Sequence, residues 1–260
     1  MRYPGGFIKL FMRLFIFIIL ASGSVCAQEE QGIKLIQLHK FNYIHPFSYT
    51  TSKKDTGKRT ELKYQFSIRI PLFGDGNRNT FFGAYSQKSL WQVFDKEGSR
   101  PFRETNYNPE VFYRTGGDNF FTDIGYAHES NGREDPESRS WDILYLKFYM
   151  ISSVLNFDLK IWHILAEDQG RPDIPVKTQK IQDFYGFGEL RITAKLDWLF
   201  ISTLSRYNFS KKKGAWETDV SFPMTDNIFL TFQYFLGYGD TLRDYNNFTS
   251  RYGVGVMLNR

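Results

Sequence analysis

The stretch Phe120-Phe121-Thr122-Asp123-Ile124-Gly125-Tyr126-Ala127-His128-Glu129-Ser130-Asn131-Gly132-Arg133 decides the fold. Successive side chains of an extended chain point to opposite faces. One face therefore carries Phe120, Thr122, Ile124, Tyr126, His128 and Ser130. The other carries Phe121, Asp123, Gly125, Ala127 and Glu129. A nucleophile and a base share the apolar side of a strand whose other side is mostly small or acidic. A soluble β-sandwich does the reverse, with a dry core and polar groups in water. The pattern fits a membrane barrel whose outer wall meets lipid.

The same period recurs along the chain. Leu62, Tyr64, Phe66, Ile68, Ile70 and Leu72 alternate with Lys63, Gln65, Ser67 and Arg69. Ile228, Leu230, Phe232, Tyr234 and Leu236 alternate with Thr231 and Gln233. The apolar set of each is expected to face lipid. Twelve strands are predicted, at 41–50, 61–73, 79–94, 103–115, 119–131, 140–154, 156–165, 183–196, 198–209, 214–224, 226–239 and 250–260. Short breaks at Gly74–Asn77, Gly116–Asp118 and Thr225–Asn227 alternate with longer ones near 51–60, 95–102, 132–139, 166–182 and 240–249. Short periplasmic turns and long outer loops are the expected asymmetry of such barrels. The predicted fold is all-β: one twelve-stranded antiparallel transmembrane β-barrel.

Composition agrees. The 260 residues are 18% aromatic, yet mean hydropathy is −0.41, because only every second residue of a barrel strand meets lipid. Beyond the N-terminus no apolar run is long enough for a spanning helix. Residues 1–27 read as a secretory signal, with Arg2, Lys9 and Arg13, an apolar core Leu14–Ala21, and a cleavage site at Val25-Cys26-Ala27. Met12 is an alternative start. Residues 28–40 are expected to form a mobile periplasmic arm and 41–260 the barrel. Cys26 is the only cysteine and leaves with the signal, so strand pairing rather than disulfides must hold the mature chain. The net charge of +5 includes the signal's basic residues. The remaining cations are scattered, which argues against nucleic acid as a partner. Lys211-Lys212-Lys213 reads as a solvated loop, with lipopolysaccharide phosphates as the alternative contact.

The run Gly125–Arg133, continued by Asp135-Pro136-Glu137-Ser138-Arg139-Ser140-Trp141-Asp142, resembles the signature of the outer-membrane phospholipase A family, calcium-dependent lipases of the Gram-negative outer membrane. Tyr85–Gln92, Pro101–Tyr107, Gly237–Asp240 and Gly253–Asn259 resemble further segments of that family. The resemblance covers most of the chain from about Asn42 onward.

By the strand count, His128 and Ser130 end the fifth strand at its outer end. Asp142 opens the sixth, in phase with Leu144, Leu146, Phe148 and Met150. A serine hydrolase needs a nucleophile, a base to take its proton, and an acceptor that fixes the base's tautomer. Two residues on one strand and one on its antiparallel neighbour can supply them. The resemblance implies that Ser130 is the nucleophile and His128 the base. Asp142 stands where the family usually has asparagine, and an aspartate is expected to orient the imidazole equally well. The alternative is a polar rim at the membrane interface.

Arg133–Ser138 is rich in the hard oxygens that calcium takes, although by itself it reads as a solvated acidic loop. The resemblance implies one calcium held by the Arg133 carbonyl, the Ser138 hydroxyl and Ser99 of the partner subunit, next to a Gly132 amide at the oxyanion. Asp135 is a candidate for a second calcium. Gln87 lies in phase with Phe81, Tyr85, Trp91 and Val93. An unpaired amide on a lipid-facing wall costs roughly 2–7 kcal/mol, which a two-fold partner's Gln87 would relieve. The resemblance places this position at a dimer interface, and wetting by headgroups is the alternative. Glu104, Asn106, Asn108, Glu110 and Arg114 alternate inward as a lumenal polar plug. His39, His45 and His163 show no ligand spacing and are read as structural or interfacial.

The expected protein is an integral outer-membrane enzyme hydrolysing acyl esters of phospholipids and lysophospholipids at both acyl positions, with Ca2+ as cofactor and a homodimer as the active form. The competing classes are a non-enzymatic porin-like barrel and a lipopolysaccharide deacylase, which also uses Ser and His on a barrel wall but needs no calcium.

Overall fold

Alternating apolar and polar residues carry the chain up and down twelve times around a closed wall. A computed structural model describes residues 35–52, 57–168 and 180–258. The expected signal at 1–27 lies outside them. The strands are β1 (Gln37–Leu38), β2 (Asn42–Thr50), β3 (Thr60–Phe73), β4 (Thr80–Trp91), β5 (Phe102–Gly116), β6 (Phe120–Ser130), β7 (Ser140–Ile151), β8 (Leu155–Asp168), β9 (Gly188–Leu196), β10 (Leu199–Asn208), β11 (Lys213–Pro223), β12 (Ile228–Tyr238) and β13 (Phe248–Leu258). One short helix, α1 (Ile181–Tyr185), precedes β9. From β2 to β13 each strand pairs antiparallel with the next. β13 then returns to β2 through pairs such as Met257↔Tyr43 and Arg251↔Thr50. Closure leaves no free edge. Except between β10 and β11, where only 209–212 intervene, the connections keep the predicted short–long alternation, so the C-terminal end of β6 and the start of β7 lie at the long-loop end.

The outer wall is apolar, as the period requires. Phe120, Ile124 and Tyr126 of β6 and Leu144, Leu146 and Met150 of β7 are exposed, whereas Asp123, Ala127, Ile143, Tyr145 and Tyr149 on the alternate phase are buried. The core is therefore the lumen, and much of it is charged. Arg114 grips Asp123 with two bonds of 2.7 Å, and the Tyr149 hydroxyl donates to the same carboxylate at 2.9 Å. Nearer the long-loop end, Arg251 reaches Asp240 at 2.6 Å and Glu61 at 3.0 Å. Arg103 joins Glu61 at 2.6 Å to Asp244 at 2.5 Å. Burial of such charges is tolerable only because each finds a partner. The predicted plug on β5 is present: Glu104, Asn106, Glu110 and Arg114 are all buried.

Two expectations are corrected. The strand predicted at 183–196 begins only at Gly188, because Ile181, Phe184 and Tyr185 form α1 and pack with Trp141, Trp162, Leu242 and Tyr245. Trp162 Nε1 donates to the Gly186 carbonyl at 3.1 Å, and Gly186 has φ +73, which favours glycine. An apolar run here fills the barrel's mouth instead of joining its wall. The arm expected to be mobile at 28–40 is docked at its described end. Gln37 and Leu38 pair with Arg69 and Ile68 of β3. His39 stacks on Phe112 and lies 3.3 Å from Glu110. Lys40 Nζ reaches both Asn108 and Glu110 at 2.5 Å. A buried carboxylate at Glu110 demands counter-charge, and the arm brings it.

Candidate active site

Cross-strand register places the catalytic candidates. His128 pairs directly with Asp142, and Ser130 with Ser140, across β6 and β7. Paired residues share a face, so His128, Ser130 and Asp142 stand together on the outer wall, as their phase predicted. His128 Nδ1 lies 2.8 Å from Asp142 Oδ1, with both side chains about one-third exposed (36% and 27%). That contact commits Nδ1 and leaves Nε2 as the ring nitrogen that could serve Ser130, two residues on along the same face. No hydrogen bond joins Ser130 to His128 among the described residues; such bonds often tighten only with substrate in place.

A further residue on the same face, Tyr126, completes the group. The Tyr126 hydroxyl donates to the same Asp142 Oδ1 at 2.5 Å. Alternation alone marks this tyrosine as one more lipid-facing aromatic in phase with His128. A second support comes from behind the wall. The β5–β6 ladder is interrupted between Tyr107↔Ser130 and Glu110↔Ala127. Pro109, which has no N–H to give, stands in the gap across from His128. The Asn108 side chain, facing the lumen, donates to the His128 carbonyl at 2.8 Å instead.

The loop after β6 is stapled to itself and to the lumen. Asn131 Nδ2 donates to the Glu137 carbonyl at 2.8 Å, and its Oδ1 accepts from the Arg139 amide at 2.9 Å. The Arg133 guanidinium bridges Glu104 at 3.2 Å and Glu137 at 2.9 Å. Between them Gly132 has φ +60, a left-handed conformation that favours glycine. Asp135 is exposed and Ser138 half-buried on the same loop. Ser99 is exposed on the β4–β5 loop, where it and Arg100 both adopt positive φ (62 and 52). The Arg100 carbonyl accepts from Trp91 Nε1 at 2.9 Å. Ser99 thus belongs to another loop than Arg133 and Ser138. Among the described residues there is no cluster of three His, Cys, Asp or Glu that could hold a metal.

Gln87 lies on the outer face of β4, as predicted, but its amide is not stranded. It donates to the Tyr64 hydroxyl at 3.1 Å and to Ser89 Oγ at 3.2 Å, and accepts from the Tyr85 hydroxyl at 3.0 Å. Its own strand, through Tyr85 and Ser89, and the adjacent β3, through Tyr64, supply the partners within one barrel. Lys211, in the basic loop, reaches Asp183 at 3.6 Å, and Lys213 covers the Phe184 ring.

The closed wall and the outward His–acid pair beside a serine define a class: a membrane β-barrel carrying a hydrolase-type site on its lipid face. Residues 24–258 match the family model of phospholipase A1, and the chain belongs to that family. It is 36% identical over 219 residues to the phospholipase A1 of Salmonella typhimurium, covering 81% of this chain and 73% of that one. It is 34% identical over 259 residues to the Proteus vulgaris enzyme, covering 91% and 87%. Its fold is similar to that of outer membrane phospholipase A from Escherichia coli, with TM-score 0.78 and 31% identity, covering 89% of this chain and 95% of that one. It is also similar to the Salmonella typhi outer membrane phospholipase dimer with bound calcium, with TM-score 0.77, 30% identity, and 89% and 94% coverage. The protein is an integral outer-membrane β-barrel and a phospholipid-hydrolysing carboxylic ester hydrolase.

Proposed function

We propose that this phospholipase acts through Ser130, His128 and Asp142 and cleaves both acyl esters of phospholipids as well as those of lysophospholipids. The observation that carries the reading is the 2.8 Å contact between His128 Nδ1 and Asp142 Oδ1 on the lipid-facing wall, with Ser130 on the same face. Ser130 Oγ attacks the ester carbonyl while His128 Nε2 takes its proton. His128 returns that proton to the leaving alkoxide. Water then enters by the same base and clears the acyl-enzyme. Asp142 holds the imidazole in the tautomer that offers Nε2 to the serine. The Gly132 amide donates to the oxyanion. An outward site meets an ester at the headgroup–acyl boundary without lifting the lipid out of the leaflet.

The chain's donors suit calcium. The Arg133 carbonyl and Ser138 hydroxyl on one loop are hard oxygens, and Asp135 beside them is a candidate for a second ion. The family resemblance adds the Ser99 hydroxyl of a second copy to that shell, with water for the remaining positions. Calcium bound there would supply positive charge to the developing oxyanion. We therefore read the active form as a homodimer in the outer membrane, with Gln87 in its interface, in line with the calcium-bound dimer of the Salmonella typhi relative. One Escherichia coli structure is of an active-site mutant with an asparagine replaced by alanine. That suits an amide or carboxylate as the third member.

A serine-directed sulfonyl fluoride is expected to label Ser130 alone, and Ser130→Ala to abolish turnover while the barrel keeps its heat-modifiable folded band on a gel. Labelling at another site, or full turnover by Ser130→Ala, overturns the assignment.

A further inference from the structure

We infer that Tyr126 is a positioning residue for the hydrolytic reaction, its hydroxyl holding Asp142 in the rotamer that orients His128; this rests on the reading of Ser130, His128 and Asp142 given above. Three observations carry it. The hydroxyl donates to Asp142 Oδ1 at 2.5 Å, and the same oxygen meets His128 Nδ1 at 2.8 Å. One carboxylate oxygen therefore receives both donors, so the line that fixes the carboxylate also fixes the imidazole. Tyr126 also stands two residues before His128 on the outer face and pairs with Leu144, which places its ring diagonally beside Asp142. Finally, the tyrosine is exposed, at 36%, on a wall that meets lipid.

The chemistry explains why a hydroxyl is wanted there. On a lipid-facing wall, water satisfies a carboxylate less completely than it does at a soluble surface, and donors must come from the wall itself. Asp142 carries a full negative charge where the family usually has a neutral amide. Left with His128 alone, its carboxylate is free to rotate about χ2, a broad two-fold torsion. A second donor on the same oxygen removes that freedom. Charge-assisted bonds of this kind are about twice as strong as neutral ones.

The test is Tyr126→Phe, assayed on phospholipid in mixed micelles at saturating calcium, alone and combined with Asp142→Ala. Phenylalanine keeps the ring and its lipid contact. Loss of a hydrogen bond to a charged group predicts a fall in kcat of about tenfold, with KM changed less than twofold. In the Asp142→Ala background the same substitution is expected to have no effect on kcat, because the group that Tyr126 positions is gone. Imidazole 15N spectra of His128 in detergent are expected to show one tautomer in the parent enzyme and a mixture in Tyr126→Phe. A wild-type kcat in Tyr126→Phe overturns the inference. So does an equal loss in both backgrounds, which would mark a general packing role. The underlying reading fails separately, if Ser130→Ala or His128→Ala retains full turnover.

Discussion

Asp142 Oδ1 is the acceptor that both His128 and Tyr126 share, so what stands at position 142 matters through that one oxygen. Asparagine offers a carbonyl oxygen in the same place and keeps both bonds. Asp142→Asn is therefore expected to retain kcat within about tenfold, the worth of the charge in one hydrogen bond. Asp142→Ala removes the acceptor and is expected to lower kcat by about 10²–10⁴, the range for disabling a general base. Turnover of radiolabelled phospholipid by the two purified variants checks both. Equal, near-complete loss in the two would mean that the charge itself is required. Gly132 belongs to the same neighbourhood. At φ +60 an alanine is strained, and its Cβ would lie 3.0 Å from the Tyr107 ring. Gly132→Ala is expected to cost about 1–2 kcal/mol of local strain and to displace the amide proposed for the oxyanion, lowering kcat with the barrel still folded.

Strand pairing supports the site from behind. Pro109 interrupts the β5–β6 ladder opposite His128, and the Asn108 amide fills the place of the missing N–H at 2.8 Å. Asn108 is itself held by Lys40 at 2.5 Å, from the docked arm. The backbone of the proposed base is thus tied through the wall to the lumen. Asn108→Ala leaves a carbonyl without its donor, at about 1–3 kcal/mol. The expected outcome is a lower melting temperature together with faster amide exchange along Tyr126–Ser130. Asn108→Asp, which cannot donate when ionised, is expected to behave alike. Unchanged exchange in both variants would show that the ladder gap needs no filling. Helix α1 makes a parallel point: Ile181, Phe184 and Tyr185 are as apolar as a strand face, but they are spent on the barrel's mouth.

The barrel as a whole is braced by charges that meet across its lumen. Asp240 lies just beyond β12 and receives Arg251 of β13 at 2.6 Å and Lys63 of β3 at 3.3 Å, while its carbonyl accepts from Lys88 of β4 at 2.6 Å. Burial alone would raise its carboxyl, but Arg251, Lys63 and Lys88 overcome that and hold it well below the usual carboxylate range. A carboxyl depressed in the folded state contributes stability above its unfolded value, about pH 3.9, and loses that contribution as pH falls from there toward the folded value. Asp240→Asn is expected to lower barrel stability at pH 7 by about 3–5 kcal/mol, since it leaves buried cations short of charge. The gap from the parent protein should narrow below about pH 4. Heat-modified gel mobility at pH 7 and pH 3 measures this, and a constant gap would exclude the group as its source. At the level of the assembly, chelation is expected to abolish turnover without unfolding the barrel. Crosslinking is expected to recover dimer when calcium and a substrate analogue are added together. Full activity of a chelated monomer would overturn the dimer reading.

The period of two is a local property of an extended chain, and most of the wall could be read from it. The lipid-facing phase, the alternation of long and short breaks, and the shared outward face of His128, Ser130 and Asp142 all follow from which residues alternate. Family motifs in 125–142 added the chemistry. Distances across strands are not local. Whether Tyr126 reaches Asp142, whether Pro109 faces His128, and whether Gln87 finds Tyr64 depend on the pairing registers of adjacent strands. The lumen is also beyond a strand-by-strand reading. Residues 37–40 read as arm and 183–185 as wall in isolation, yet they dock, 183–185 within the helix Ile181–Tyr185, because a closed barrel encloses a buried carboxylate and an apolar mouth.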